Sequence, residues 1–274
     1  MSEQKGERWA LTPYAATSPA QLRGVERHLA IAAKLKQDIE HRQLIAILKR
    51  ISYKDAVNFM SSNQTFGSEL IARYANCWDW EKLSSNKLIP WSVELIEPYV
   101  DRWDWEELSS NTAMPWSVEL IERYADYWDW GSLSESATLP WSAQFIERYA
   151  DRWEWGCLGL SGNTALPWSL ELMDRYVARW DWGWQGLSQN SALPWSAELI
   201  GKFADRWSWY TLSTNGALPW SVSLINQFED LWRWDGLARN AEIPWSFELI
   251  ERFEDRWDWR DSPLFSTNNA VPWT

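Results

Sequence analysis

Ser-Val-Glu-Leu-Ile-Glu-Arg-Tyr-Ala-Asp-Tyr-Trp-Asp-Trp, residues 117–130, with Pro115 and Trp116 in front of it, decides how the rest of the chain is read. It returns in recognisable form through most of the 274 residues. Pro-Trp stands at 90–91, 115–116, 140–141, 167–168, 194–195, 219–220, 244–245 and 272–273, in steps of 25, 25, 27, 27, 25, 25 and 28 residues. A Trp-x-Trp pair keeps the same beat, from Trp78/Trp80 and Trp103/Trp105 to Trp257/Trp259. A period of about 20–50 residues held over many copies marks a repeat array, in which each unit buries its apolar face against its neighbours.

Within one unit the local signals are helical. Ser92 is a good N-cap, and serines stand at the equivalent positions 117, 142, 169, 196, 221 and 246. On a wheel of about 100° per residue, Leu95, Ile96, Tyr99, Val100 and Trp103 fall on one side, and Glu94, Glu97, residue 98 and Asp101 on the other. That division predicts an amphipathic helix. Asp104 is placed to cap a second, shorter helix through Trp105 and Leu108, and Asn111 to close it in the left-handed conformation. Pro98 interrupts the first helix of its unit, where an interior proline costs about 3 kcal/mol, and predicts a kink. Two-residue insertions in 156–161 and 183–188 should lengthen or bulge the short helix, and Asp261-Ser262-Pro263 should break it.

Outside the regular units, residues 1–18 read as a polar tail. Residues 19–54 read as a basic helical cap, with Leu22, Val25, Leu29, Ala32, Leu35 and Ile39 at three- and four-residue steps. The array then occupies 55–274, beginning with a degenerate half-repeat in which Met60-Ser61-Ser62-Asn63 echoes Leu83-Ser84-Ser85-Asn86. The fold expectation is all-α: an open or right-handed α-solenoid of short helix–turn–helix units. The alternative is a leucine-rich-repeat-like solenoid, since Trp-x-Trp alternates like a strand; against it, the Leu-x-Leu-x-x-Asn spacing is missing. Over residues 55–274 the array resembles, in kind only, α-solenoids of the tetratricopeptide and HEAT type. The period is shorter than in either family, and no residue role carries over.

Composition narrows function. The chain has 26 tryptophans, all but Trp9 from residue 78 onward. Each buried Trp removes about 150–250 Å² from water, roughly 4–6 kcal/mol gross, which lets a very short unit hold together. Trp184 has no counterpart in other units and lies in an insertion, so it is the candidate exposed aromatic contact. Residues 1–60 carry ten Lys/Arg and six Asp/Glu, a net of +4, which leaves −16 on the remainder of a chain whose total is −12. An acidic array is a poor match for a phosphate backbone, so direct nucleic-acid binding is not expected of it. No signal peptide or membrane span is read from the sequence, and a cytoplasmic protein is expected.

Chemistry-bearing constellations are scarce. Both histidines, His28 and His41, lie before the array, which excludes a Ser/His/Asp or Cys/His site within it. Cys77 and Cys157 show neither metal spacing nor a disulfide framework. No cofactor or metal is expected, and the chain reads as non-enzymatic. What stands out is charge. Favourable i,i+4 pairs such as Glu119–Arg123, Glu171–Arg175, Glu198–Lys202 and Glu248–Arg252 run beside like-charge pairs, Glu251/Asp255 late in the array and, in three neighbouring units, Glu97/Asp101, Glu122/Asp126 and Glu147/Asp151. If repeats stack, these six carboxylates form an acidic ridge, unless arginines such as Arg102 and Arg152 neutralise it across the stack. The functional expectation is a protein-binding scaffold that docks a basic partner segment on the ridge. The alternatives are a carbohydrate or small-ligand module using exposed Trp, and a DNA-mimic inhibitor. A C-terminal repeat face left open would also be available to a second copy.

Overall fold

The computed structural model describes Arg42 and residues 53–63, 65, 67–257, 259 and 268–272. The chain divides into residues 1–59 and 60–274. The expected tail, almost all of the expected cap and the Asp261-Ser262-Pro263 break lie outside the described residues. In the first segment, Arg42 is helical and the helix Tyr53–Asn63 begins.

The second segment is built from helices, with no strand among the described residues. Each repeat has a first helix, such as Val118–Arg123, Ala143–Arg148 or Leu170–Arg175, and in most repeats a second, such as Trp105–Ser109, Trp130–Glu135 or Trp209–Thr214. The strand-based alternative therefore fails at its own signal: in Trp128-Asp129-Trp130 the first Trp ends a turn and the second opens a helix. Local capping works as the sequence implies except at Ser92, which stands at the N-cap of its helix and accepts no capping bond. Ser117, Ser142, Ser169, Ser196, Ser221 and Ser246 each accept a hydrogen bond from the amide three residues on, and Asp79, Asp104 and Asp129 do the same for the second helix. At Glu94 and Glu119, hydrogen bonds from the residue's own backbone N–H, and then from the Ser92 or Ser117 hydroxyl, hold the carboxyl below its ordinary range.

The first helices are shorter than the apolar stripe implies. Most run six residues and end before the Trp of their own stripe. The reason is that the Trp does a second job. Trp103, Trp128, Trp153, Trp180, Trp207, Trp232 and Trp257 are buried, and each donates its indole N–H to the carbonyl seven residues back, at the end of the first helix. A helix C-terminus leaves carbonyls without intrahelical partners. Here an indole supplies the donor while its ring fills the core. Other tryptophans follow the same logic over five residues: Trp105 to Val100, Trp130 to Ala125, Trp168 to Asn163 and Trp195 to Asn190.

Three local expectations need correction. Asn111 and its equivalents are not left-handed, since no residue other than glycine has positive φ among those described, and Asn190, Asn215 and Asn240 are extended. The asparagine is instead a tie between repeats. Asn111 donates to the carbonyls of Ser84 and Asn86 in the preceding repeat and accepts from the amide of Ala113. Asn86 reaches Ser61 in the same way, as the echo of Leu83-Ser84 in Met60-Ser61 implies. Pro98 does not kink a continuing helix: Val93–Ile96 passes into a 3-10 turn over Glu97–Tyr99, which needs no interior amide from the proline. The insertions do not lengthen the short helix. Residues 157–162 form turns, and in the next repeat only a 3-10 turn, Leu187–Gln189, remains. The amide of Leu160 reaches six residues back to Glu154 and that of Leu187 to Asp181, both at 2.8 Å, and this leaves no room for side chains at Gly159 and Gly186. A Cβ there would lie 2.1 Å from those carbonyl oxygens.

The insertions leave the contact between repeats intact because they fall between successive spans and not within one. Ser84, Ser109, Ser134, Ser161, Ser188 and Ser213 are buried, and each accepts from the amide 20 residues on, in the next repeat. Each also donates to the carbonyl of the second Trp of its own pair. That span is 20 residues with or without an insertion, since the added residues lie between the Trp and the serine.

Candidate functional site

Two surfaces carry the residues singled out by sequence. The first is the outer face of the first helices. Here the structure resolves the competition among charges. Arg123 bonds Glu97 of the preceding repeat at 3.0 Å, not Glu119 on its own helix, and Lys202 pairs with Asp174 at 3.0 Å, not Glu198. Arg148 pairs with Glu122, and Arg175 bridges Glu147 and its own Glu171. A second row lies beside this one. Arg152 pairs with Asp126 at 2.6 Å and Arg179 with Asp151 at 2.5 Å. Five of the six ridge carboxylates, Glu97, Glu122, Asp126, Glu147 and Asp151, thus face cations of the following repeat. Asp101 is exposed and makes no ion pair among the described residues. Of the two neutralising arginines anticipated, Arg152 acts as expected, while Arg102 bonds Asn76 and the Ala75 carbonyl.

Arginines of the second row sit in a recurring three-sided socket. Arg152 donates to the Ala125 carbonyl at 2.6 Å and the Asp126 carboxylate at 2.6 Å, with its guanidinium 5.4 Å from the centre of the Trp130 ring. Arg179 repeats this with Ala150, Asp151 and Trp155. Such exposed pairs contribute about 0–1 kcal/mol each, so they set register more than they hold the fold. Tyr124, buried beneath this face, donates to Glu97 at 2.8 Å. Burial, then that hydrogen bond, pushes its phenol up to about 12.

The second surface is the edge formed by the two insertions. Trp184 is 64% exposed and Leu158 69% exposed, on loops of consecutive repeats. The Cys157 thiol lies 4.0 Å from the Gln185 side-chain oxygen of the next loop. A shallow cleft of ≈ 190 Å³ is lined by Thr164, Gln185, Gln189, Asn190 and Ser191 with two glycines, all uncharged; Trp184 precedes Gln185 in the chain but does not line it. The exposure of Trp184 was legible from its lack of a counterpart. Leu158 was not, because an apolar residue in a Leu-rich repeat gives no hint of the side it takes. No group of three or more His, Cys, Asp or Glu side chains is arranged to hold a metal ion among the described residues, and none of their helices is long and apolar enough to cross a membrane.

Comparison of the chain with protein-family models, with curated proteins and with solved structures finds no match.

Proposed function

We propose that the repeats stack as an α-solenoid and that the chain is a non-enzymatic scaffold which docks a basic segment of a partner protein on the outer face of the first helices. The observation that supports this is the way the face treats the chain's own cations. In successive repeats it holds arginine between carboxylate, carbonyl and indole, with carboxylates as exposed as Asp126 at 85% and Asp151 at 89%. A face that repeatedly accommodates guanidinium is chemically suited to a basic ligand, and the net of −16 beyond residue 60 favours its approach. The same ion pairs leave fewer free carboxylates than a mimic of DNA would need, which weighs against that alternative.

A second reading rests on one specific feature, the exposed Trp184 on the loop whose next residue, Gln185, lines an uncharged cleft of amides and hydroxyls. An indole face with neighbouring hydrogen-bonding groups suits a sugar ring.

One binding experiment separates the two. With a labelled peptide rich in arginine and lysine, anisotropy should show saturable binding that weakens by at least about tenfold when salt rises from 50 to 500 mM, as screened surface charges require. Salt-independent binding would reject the scaffold reading as stated. No peptide binding, with Trp emission quenched by an oligosaccharide and the quenching lost in Trp184→Ser, would move the function to the insertion edge.

A further inference from the structure

The second-row socket is built in successive repeats, but in two, those of Asp101 and Asp205, its own arginine is missing. Three components recur. The first is the residue at the position of Asp126, the second the carbonyl just before it, and the third the second Trp of the same repeat. That Trp already donates its indole N–H to the same carbonyl, as Trp130 does to Ala125 at 3.0 Å. The arginine 26 to 28 residues on then adds one bond to the carbonyl and one to the side chain, and lies over the ring. Arg102 completes the same arrangement on Ala75, Asn76 and Trp80.

In the repeat of Asp101 the socket is present and the arginine is not. Trp105 donates to the Val100 carbonyl at 2.9 Å, so carbonyl and indole are set as elsewhere. The arginine position is occupied by Tyr127, whose ring packs on Trp105 with centroids 4.9 Å apart and planes 33° apart. A tyrosine brings no cation. Asp101 consequently has no ion-pair or hydrogen-bond partner among the described residues, and Tyr127 is 46% exposed. The surroundings favour a cation further, since Asp104, Glu106 and Glu107 follow in the same repeat. Asp205 stands in the other such socket, with Trp209 donating to the Ala204 carbonyl and Leu231 at the arginine position, but it lacks an aromatic ring at that position.

We infer that Asp101, the Val100 carbonyl and the Tyr127 ring form a receptor for one arginine side chain of the partner protein, completing from outside the contact that Arg152 and Arg179 make from within. This rests on the basic-partner reading and names the residue class and the place of recognition. Arginine is preferred to lysine because the socket presents two acceptors in a fixed relation and a flat ring, which match a planar fork with several donors and not a single ammonium.

The test fills the socket from inside. Tyr127→Arg should make the internal contact seen at Arg152, and its thermal midpoint should be no lower than that of the parent chain. The probe is a short peptide containing one arginine, with its lysine counterpart for comparison, titrated at low salt while the indole N–H resonances are followed. Trp105 reports directly, since its indole N–H shares the Val100 carbonyl. The expected result is a saturable shift of the Trp105 resonance with the arginine peptide and a weaker one with lysine. Affinity should fall about tenfold or more in both Tyr127→Arg and Asp101→Ala, the scale expected for losing a charge-assisted hydrogen bond. Unchanged binding to Tyr127→Arg, or a shift at Trp209 in place of Trp105, would overturn the socket while leaving a basic-peptide face intact. No binding of either peptide to the parent chain would overturn both.

Discussion

Trp153→Ala is expected to destabilise the array by about 3–5 kcal/mol, the range for removing a large buried aromatic side chain. Trp153 is 4% exposed and sits among Trp130, Trp141, Phe145 and Tyr149, with ring centroids 4.8, 5.0, 5.3 and 6.3 Å away. Truncation removes contacts within the repeat and to the preceding one, and strips the Ile146 carbonyl of its indole donor. Trp153→Phe separates these effects. It keeps most of the ring and loses the hydrogen bond, so a loss of about 1–3 kcal/mol is expected, the cost of leaving a buried acceptor unsatisfied. Urea unfolding followed by circular dichroism measures both. Because repeat arrays can unfold in sections, the transition should be fitted with neighbour coupling and not as a single step. A loss below about 1 kcal/mol for Trp153→Ala would contradict a role for this column as the core.

Asn190→Ala is the second large effect, with an expected loss of about 2–4 kcal/mol, from unsatisfied buried polar groups at roughly 1–3 kcal/mol each. The Asn190 amide donates to the Ser161 carbonyl at 3.1 Å and the Asn163 carbonyl at 3.3 Å, and its oxygen accepts from the Ala192 amide at 2.9 Å. It is 4% exposed, so water does not readily replace these partners. The chain contains its own control. At the equivalent position Ser136 accepts from the Thr138 amide at 3.3 Å, keeping the local turn, and has no donor that crosses to the preceding repeat. Asn190→Ser should therefore cost about half as much as Asn190→Ala, retaining the turn and losing the tie. Hydrogen exchange at the Ala192 amide distinguishes them: protection should fall in Asn190→Ala and persist in Asn190→Ser. Equal loss in both variants would show that the inter-repeat bonds carry the effect alone.

Much of this organisation is legible in the residues, for a simple reason: capping, period and helical stripe depend on neighbours within a few positions. Ser117 and Asp104 cap helices as their side chains dictate. The asparagine was misread because Asn at the end of a short helix has two plausible uses. Only the adjacent repeat shows that its amide reaches the carbonyls of Ser84 and Asn86. The insertions were misread because the amides of Leu160 and Leu187 keep their partner at the start of the segment, so the added residues widen the loop to six residues and do not extend the helix. The ridge was legible as a set of carboxylates, and its neutralisation was foreseen at Arg152, but the pairing of Glu97, Glu122 and Glu147 with Arg123, Arg148 and Arg175 was not.

By itself, the sequence determined the repeat, its 25- to 28-residue beat, the serine and aspartate caps, and the tryptophan columns as core. Those are set by local conformational preference and by the need of a short unit to bury large side chains. Tertiary structure alone decided which acid each cation meets. Glu119 is four residues from Arg123 along its helix, yet Arg123 bonds Glu97 from 26 residues away, because the adjoining repeat places that carboxylate 3.0 Å from the guanidinium. It also decided that Asp101 is left over, since the absence of a partner is a property of two repeats brought together and of neither one alone.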